Sequence, residues 1–410
     1  MNILVLNAGS GSQKCSLFEM GIELPELPLE PIWDAEIQST SPSLKKNELL
    51  LRIRNRKEPE EQRILPSLMS SKDRLVHLIK TLWEGKSPVV SGPGEIHVVG
   101  HRVVHGGTEF PEAVLVSESV EAAIERLAAF APLHNPLNLE GIRVARALLG
   151  HHIPQVAVFD TSFHRSLSDA AAIYPGPFDW QKKGIRRYGF HGTSFRWASK
   201  WASHLLKREN DPDLRLIICH LGGGCSLAAT MGGRSLDTTM GFTPLDGVAM
   251  CTRSGALDPG ILLFLLKGNP DLEKMEQLLN EDSGLKGLSG LPGDTRIILA
   301  EAQKGNEKAR LAMDVFIHRL QAGIGQMIAS LSNCPDAIVF TDAIGEDEPL
   351  VRAKACEPFQ FLGLEIDSER NQASPLDADI STSASKVRVL IIKSREDWQI
   401  AEDCHRLSHA

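Results

Sequence analysis

Residues 1–17 read MNILVLNAGSGSQKCSL. An apolar run from Ile3 to Leu6 gives way to Asn7, Gly9, Ser10, Gly11 and Ser12, then a lone Lys14, and apolar residues resume at Cys15, Leu17 and Phe18. Glycines let backbone N–H groups approach a ligand closely, while hydroxyls and an ammonium add donors, so the stretch suits an anion. Its spacing is neither GxxxxGKS/T nor GxGxxG, and the residues after Lys14 are strand-like rather than helical. The reading is therefore a hairpin with an anion-suited turn, not the strand–loop–helix of the common nucleotide folds.

Further along, residues 216–225, LIICHLGGGC, echo this pattern about halfway down the chain, and the small-apolar stretch SLAAT comes next. Two such hairpins, one per domain, could clasp a polyphosphate from both sides; the plain alternative is that Gly222–Gly224 form a tight turn and nothing more. A chain of 410 residues is too long for one core, which fits two domains. Short apolar runs at Ile3–Leu6, His97–Val99, Val156–Phe159, Leu216–Cys219, Ala337–Phe340 and Val387–Ile392 alternate with helical spacings. Those spacings run through Leu75–Leu82, Val120–Leu127, Trp197–Leu205 and Val315–Met327. The alternation predicts an α/β fold. Residues 24–70, rich in Pro, Glu, Arg and Ser, read as a surface excursion with ragged strands and little chemistry.

An apolar content of 42% and a charged content of 23% are ordinary for a soluble globular protein. A formal charge of -8, with no basic block beyond RIRNRK at 52–57, argues against a nucleic-acid surface. Seven cysteines with no CxxC pair suggest reduced thiols, no zinc framework and a cytoplasmic location. The N-terminus has no basic segment ahead of a long apolar stretch, and no apolar run is long enough to span a bilayer, so neither secretion nor a membrane partner is expected.

Several stretches are hard to explain as packing. GHRVVHGG places Arg102 between two histidines, APLHNP carries His134 in a Pro-bounded loop, and FDTSFH ends a strand with Asp160. RRYGFHGTS sets His191 between aromatic and glycine residues, and GFTPLDGVAMCTRSGALDPG holds Arg253 in a Gly- and Ser-rich loop. Loops on a rigid scaffold are where ligand chemistry concentrates. In this order and spacing, and with HLGGG, SGLKGLSG and FTDAIGED, these stretches resemble the acetate kinases, the acetokinase branch of the acetate and sugar kinase/heat-shock cognate/actin superfamily.

The resemblance implies two similar domains of the ribonuclease H-like/actin-like fold, each a mixed sheet flanked by helices, with the active site in the interdomain cleft. The N-terminal domain would take residues 1–160 plus a returning helix 397–410, and the C-terminal domain, residues 161–396, would carry the nucleotide. It also implies a homodimer, ATP and ADP as co-substrates, and Mg²⁺ or Mn²⁺. Moving a γ-phosphoryl group to an already ionised carboxylate needs no general base; it needs cations, fixed donors and a metal to let two anions meet.

Carried over residue by residue, the resemblance makes Arg102 and Arg253 the guanidinium clamps on acetate and on the group in transit, a task for which Lys is no equivalent. His191 would donate to the transferring group and His134 would assist; Asp160 would orient an Arg or the hydrated metal. Asn7 and Glu396 would hold the metal, and Asn7, Ser10, Ser12 and Lys14 would line the phosphate path. The acetate methyl is assigned to Val104, Leu133, Phe190 and Pro244. Nucleotide contacts fall to Lys14, His220, Leu221, Gly222, Gly223, Gly224, Asp294, Thr295, Arg296, Ala343, Ile344, Gly345, Glu346 and Asp347. His101, His105, His164 and His220 read as hydrogen-bonded scaffold.

The nucleotide side departs from the family pattern. HLGGG stands where HLGNG is usual, and DAIGED where AGIGEN is usual. Ala256 replaces an Asp, and KSREDW replaces Pro-Thr-Asn-Glu-Glu around Glu396. Extra carboxylates beside a triphosphate repel it. The reading is an ATP-dependent acetate kinase; the alternatives are another phosphoryl donor or propionate as acceptor, and an inactive relative that only binds acetyl phosphate or nucleotide.

Overall fold

The computed structural model describes residues 1–8, 12–38, 48–66, 68–86, 88–268 and 270–409. The chain divides into two compact units, Met1–Ser162 with Arg395–Ala410, and Phe163–Ser394.

The first unit is built on an eight-stranded sheet. Its strands are β1 (Asn2–Ala8), β2 (Ser12–Glu19), β3 (Trp33–Gln38), β4 (Glu48–Asn55), β5 (Glu61–Pro66), β6 (Val98–Val103), β7 (Val114–Leu115) and β8 (Gln155–Phe159). They lie in the order β5-β4-β3-β2-β1-β6-β8-β7. The opening hairpin is present: β1 pairs antiparallel with β2, Asn7 opposite Lys14, while β1–β6 and β6–β8 are parallel. Ile3, Leu4, Val5 and Leu6 are all buried, as a central strand covered on both faces requires. The C-terminal helix Glu396–His409 returns to pack on β1, β6 and β8. Gly100 makes that approach possible, since a Cβ there would fall 2.5 Å from Ile400 and 2.6 Å from Cys404.

Within 24–70, the described residues 33–38 and 48–66 differ from the sequence reading. Rather than a ragged excursion, β3, β4 and β5 extend the sheet in continuous antiparallel register. Trp33, Ala35, Ile37, Leu49, Leu51 and Ile53 join the core cluster with Leu75, Leu78 and Ile79 of the helix Ser71–Lys80. Period-two alternation in WDAEIQ sends Asp34 and Glu36 to the opposite face from Trp33, Ala35 and Ile37.

The second unit repeats the plan with β9 (Arg215–Leu221), β10 (Cys225–Met231), β11 (Arg234–Thr238), β12 (Ala337–Thr341), β13 (Ala378–Asp379) and β14 (Arg388–Ile391). The order is β11-β10-β9-β12-β14-β13, with β9–β10 antiparallel and β9–β12 and β12–β14 parallel. The helices Gly192–Leu205 and Glu307–Leu331 cover it, the first against β9 and β12, the second against β10, β9 and β11. Among the described residues no helix is long and apolar enough to cross a membrane.

Candidate active site

In the first unit the ends of β1, β6 and β8 and the start of the C-terminal helix bring four predicted residues together. Arg102, at the end of β6, donates from Nε (2.9 Å) and Nη2 (2.6 Å) to the same oxygen of Asp160, which follows β8 and is 1% exposed. Its Nη1 donates to Asn7 Oδ1 at 3.2 Å and lies 3.6 Å from Glu396 Oε2. Asn7 Nδ2 donates onward to Glu396 Oε2 at 3.1 Å and to Asp397 Oδ1 at 2.9 Å. The guanidinium is thus oriented by one carboxylate and cross-linked to a second through an amide, which holds it against thermal reorientation.

Asp397, not singled out in the sequence, is the hub of the same cluster. It accepts from Asn7, from Ser16 Oγ at 2.7 Å and from Lys14 Nζ at 2.7 Å. Burial by itself would raise its carboxyl, but the Lys14 ammonium and these hydrogen bonds hold it below the ordinary carboxylate range. The Asp397 carboxylate in turn raises the Lys14 pKa. Lys14 is therefore an anchored cation whose ammonium already grips a carboxylate. Ser10 lies outside the described residues, and Ser12 opens β2.

The loop after β6 is fixed by two more residues that sequence reasoning passed over. Asn138 Oδ1 accepts from Val104 N at 3.1 Å and Asn135 Oδ1 from His105 N at 3.1 Å; both asparagines are buried on the helix Asn135–Leu149. Their signal in the sequence is the N-P-L-N run directly after His134, which occupies the N-cap position of that helix. Val104 is 5% exposed and Leu133 49%.

In the second unit the glycine hairpin gathers His191, His220 and Arg253. His191 sits in the left-handed region (φ 56) at the start of the helix Gly192–Leu205, a strained conformation for a non-glycine residue. Its Nδ1 is 2.8 Å from Ser226 Oγ on β10, and its ring centroid lies 4.1 Å from that of His220, the two rings tilted by 32°. A Cβ on Gly224 would fall 2.8 Å from Arg253 Nη2 and 3.2 Å from His191 Nε2, so the bare glycine is where these two donors converge. A Cβ on Gly222 would strike the Asp342 carboxylate, whereas one on Gly223 meets nothing within 4 Å. Arg253 Nη1 donates to Pro244 O at 2.8 Å.

His220 is tied by Nδ1 to Ser194 Oγ at 2.8 Å and by Nε2 to Asp342 Oδ2 at 3.2 Å. Burial lowers His101, His105 and His164 to about 4, so all three are neutral scaffold; His164, for example, bridges Ser235 Oγ and Phe190 O. Phe190 is 1% exposed. Leu221 ends β9, and Thr295 is buried at the start of the helix Thr295–Gln303. Asp294 caps that helix and clamps Arg296 with two bonds of 3.1 and 2.7 Å.

The segment after β12 forms the helix Asp342–Asp347, with Ala343 and Asp347 exposed and Ile344 and Gly345 buried. Burial raises the Glu346 carboxyl to about 7, although it accepts from Asp342 N at 2.8 Å and Ser394 N at 2.7 Å.

A family model, the acetokinase family, matches residues 2–402. The chain belongs to the acetokinase family. An acetate kinase of Acaryochloris marina is 48% identical over 405 residues, 99% of each chain. The solved acetate kinase of Porphyromonas gingivalis superposes with a TM-score of 0.86 at 33% identity, and a propionate kinase from Francisella tularensis with 0.87 at 33% identity, each over 99% of both chains. Two mixed sheets flanked by helices are the architecture that this acetokinase chain shares with these kinases over its whole length.

Proposed function

We propose that the chain transfers the γ-phosphoryl group of ATP to acetate, reversibly, giving acetyl phosphate and ADP in one direct in-line step. The observation that carries this reading is Arg102, oriented by Asp160 and linked through Asn7 to Glu396. Acetate is ionised at neutral pH (pKa about 4 to 5), so the protein has no proton to remove. Arg102 binds the acceptor carboxylate; His191 Nε2 and Arg253 Nη2, converging over Gly224, neutralise charge on the equatorial oxygens of the group in transit. Buried Val104 is assigned to the acetate methyl. One methylene is worth only about 1–3 kcal/mol, so propionate reacts more slowly rather than not at all.

Asn7 and Glu396 offer an amide oxygen and a carboxylate, and among the described residues no cluster of three or more His, Cys, Asp or Glu side chains could hold a metal. That sparse oxygen set fits Mg²⁺, which keeps several waters and takes the rest of its shell from substrate phosphates. When bound, it neutralises phosphate charge. The nucleoside is assigned to the second unit, in a cavity of about 830 Å³ lined by Arg296, Glu348, Leu350, Asn371 and Gln372. A cytoplasmic homodimer completes the reading. The helix Pro259–Gly268 buries none of its apolar residues, leaving Leu263 64% and Phe264 75% exposed, and a second copy would cover it. Sedimentation at the mass of the single 44.9 kDa chain would remove the dimer.

The test is trapping acetyl phosphate with hydroxylamine while the donor is varied among ATP, GTP and pyrophosphate. ATP with a divalent cation gives the hydroxamate. Product with GTP or pyrophosphate alone reassigns the donor, and no product with any donor overturns the reading.

A further inference from the structure

Arg352 is a guanidinium with no solvent exposure, on the helix Pro349–Cys356. Among the described residues no carboxylate pairs with it. Five hydrogen bonds, all to neutral acceptors, hold it instead. Nη1 donates to Gly345 O and Glu346 O, each at 2.8 Å. Nε donates to Asn371 Oδ1 at 2.8 Å, and Nη2 to Asn371 O at 2.8 Å and Ser374 Oγ at 2.7 Å. Burying a cation this way is costly unless every donor is satisfied, and here each one is.

Of the residues it holds, Asn371 lines the nucleoside cavity, which the helix carrying Arg352 lines through Pro349, Leu350 and Ala353. One wall carries Glu348, Pro349, Leu350 and Ala353, and the other carries Ser368, Asn371 and Gln372. Asn371 is locked at both ends, its Oδ1 by Arg352 and its Nδ2 by Pro349 O at 2.9 Å. The two carbonyls that Arg352 grips close the helix Asp342–Asp347, the segment in which this chain carries DAIGED. Burial pulls the guanidinium down to about 10, while Asp347 and Glu348 act on it in the opposite sense. Its charge is thus set against the carboxylates that would otherwise repel a polyphosphate.

We propose that Arg352 is the positioning residue of the donor site: it fixes the Gly345 and Glu346 carbonyls and the Asn371 wall in the geometry that accepts the nucleotide, and its buried charge offsets the acidic segment beside it. This rests on the assignment of the nucleoside to that cavity.

The experiment compares wild type with Arg352→Gln, Arg352→Lys and Asn371→Ala. In Arg352→Gln, KM for ATP rises about tenfold or more, with KM for acetate and kcat at saturating ATP within about twofold. Arg352→Lys, which keeps the charge but not the fork, recovers part of the loss. If Arg352→Gln does not fold, Asn371→Ala, which removes a partner and leaves the cation, supplies the same reading. An unchanged KM for ATP in a folded variant, or an equal rise in KM for acetate, overturns the proposal. Hydrogen exchange over 342–347, measured without ligand, decides independently of which donor the enzyme uses. Faster exchange in the variants is expected, and unchanged exchange overturns the positioning role. A wild type that ATP does not saturate would instead count against the donor assignment.

Discussion

In the first unit β1 pairs antiparallel with β2 and parallel with β6, and β6 with β8; in the second, β9 pairs antiparallel with β10 and parallel with β12, and β12 with β14. On this common plan cations are held in two ways, and the second unit uses both, since Asp294 clamps Arg296 there. Arg102 and Lys14 are gripped by the carboxylates of Asp160 and Asp397. Arg352 is held by carbonyls, an amide oxygen and a hydroxyl, and Arg253 Nη1 by the carbonyl of Pro244. A carboxylate orients a guanidinium but cancels its charge; a carbonyl orients it and leaves the charge standing. The first arrangement suits a small monoanion and a hydrated metal, the second a polyphosphate and a transition state rich in negative oxygen.

The severest challenge to this contrast is Arg253→Ala. If its guanidinium acts on charge that develops in transfer, kcat falls about a thousandfold or more while nucleotide affinity measured by calorimetry stays nearly intact. Equal losses in both would make it a ground-state binding group.

A second prediction concerns Glu346, whose carboxyl is raised from 4.5 to about 7 by burial. A group that binds its proton more tightly when folded contributes stability that is full below its unfolded pKa and is lost as pH rises through the folded one. Stability therefore declines from about pH 4.5 to above about pH 7, by at most about 3 kcal/mol, and Glu346→Gln removes that decline. Denaturant titrations at the two ends of the window check it; an unchanged slope in the variant would show that the carboxyl is already ionised.

The smallest effect is at the glycine hairpin. Gly223 opens onto free space where Gly222 and Gly224 do not. Gly223→Asn adds an amide donor toward phosphate and lowers KM for ATP a few-fold, about 1 kcal/mol. A rise in KM would mean that the open space is needed by the nucleotide itself.

Both hairpins could be read from short apolar runs broken by glycine and hydroxyl residues, because a strand–turn–strand is written locally. Arg102 and Asp160 stood out as charged residues beside or at the end of apolar strands, and His191 and Arg253 as polar residues in glycine-rich stretches, none of which core packing requires. Residues 24–70 misled because their average composition is polar, whereas burial follows alternation: Trp33, Ala35 and Ile37 face one way and Asp34 and Glu36 the other. Asp397 was hidden at a helix start, where an acidic residue is expected on dipole grounds alone. Arg352 was hidden for a different reason. An arginine on a short helix is normally a solvated residue, and its acceptors at 345, 346, 371 and 374 meet only when the chain is folded.

The division of labour between the units is decided by the two Michaelis constants of Arg102→Gln set beside those of Arg296→Gln, which removes a cation lining the nucleoside cavity. Arg102→Gln is expected to raise KM for acetate by about tenfold or more and to leave KM for ATP within about twofold, with Arg296→Gln giving the reverse. A crossed pattern, with ATP affinity lost on changing Arg102 and acetate affinity lost on changing Arg296, would contradict it.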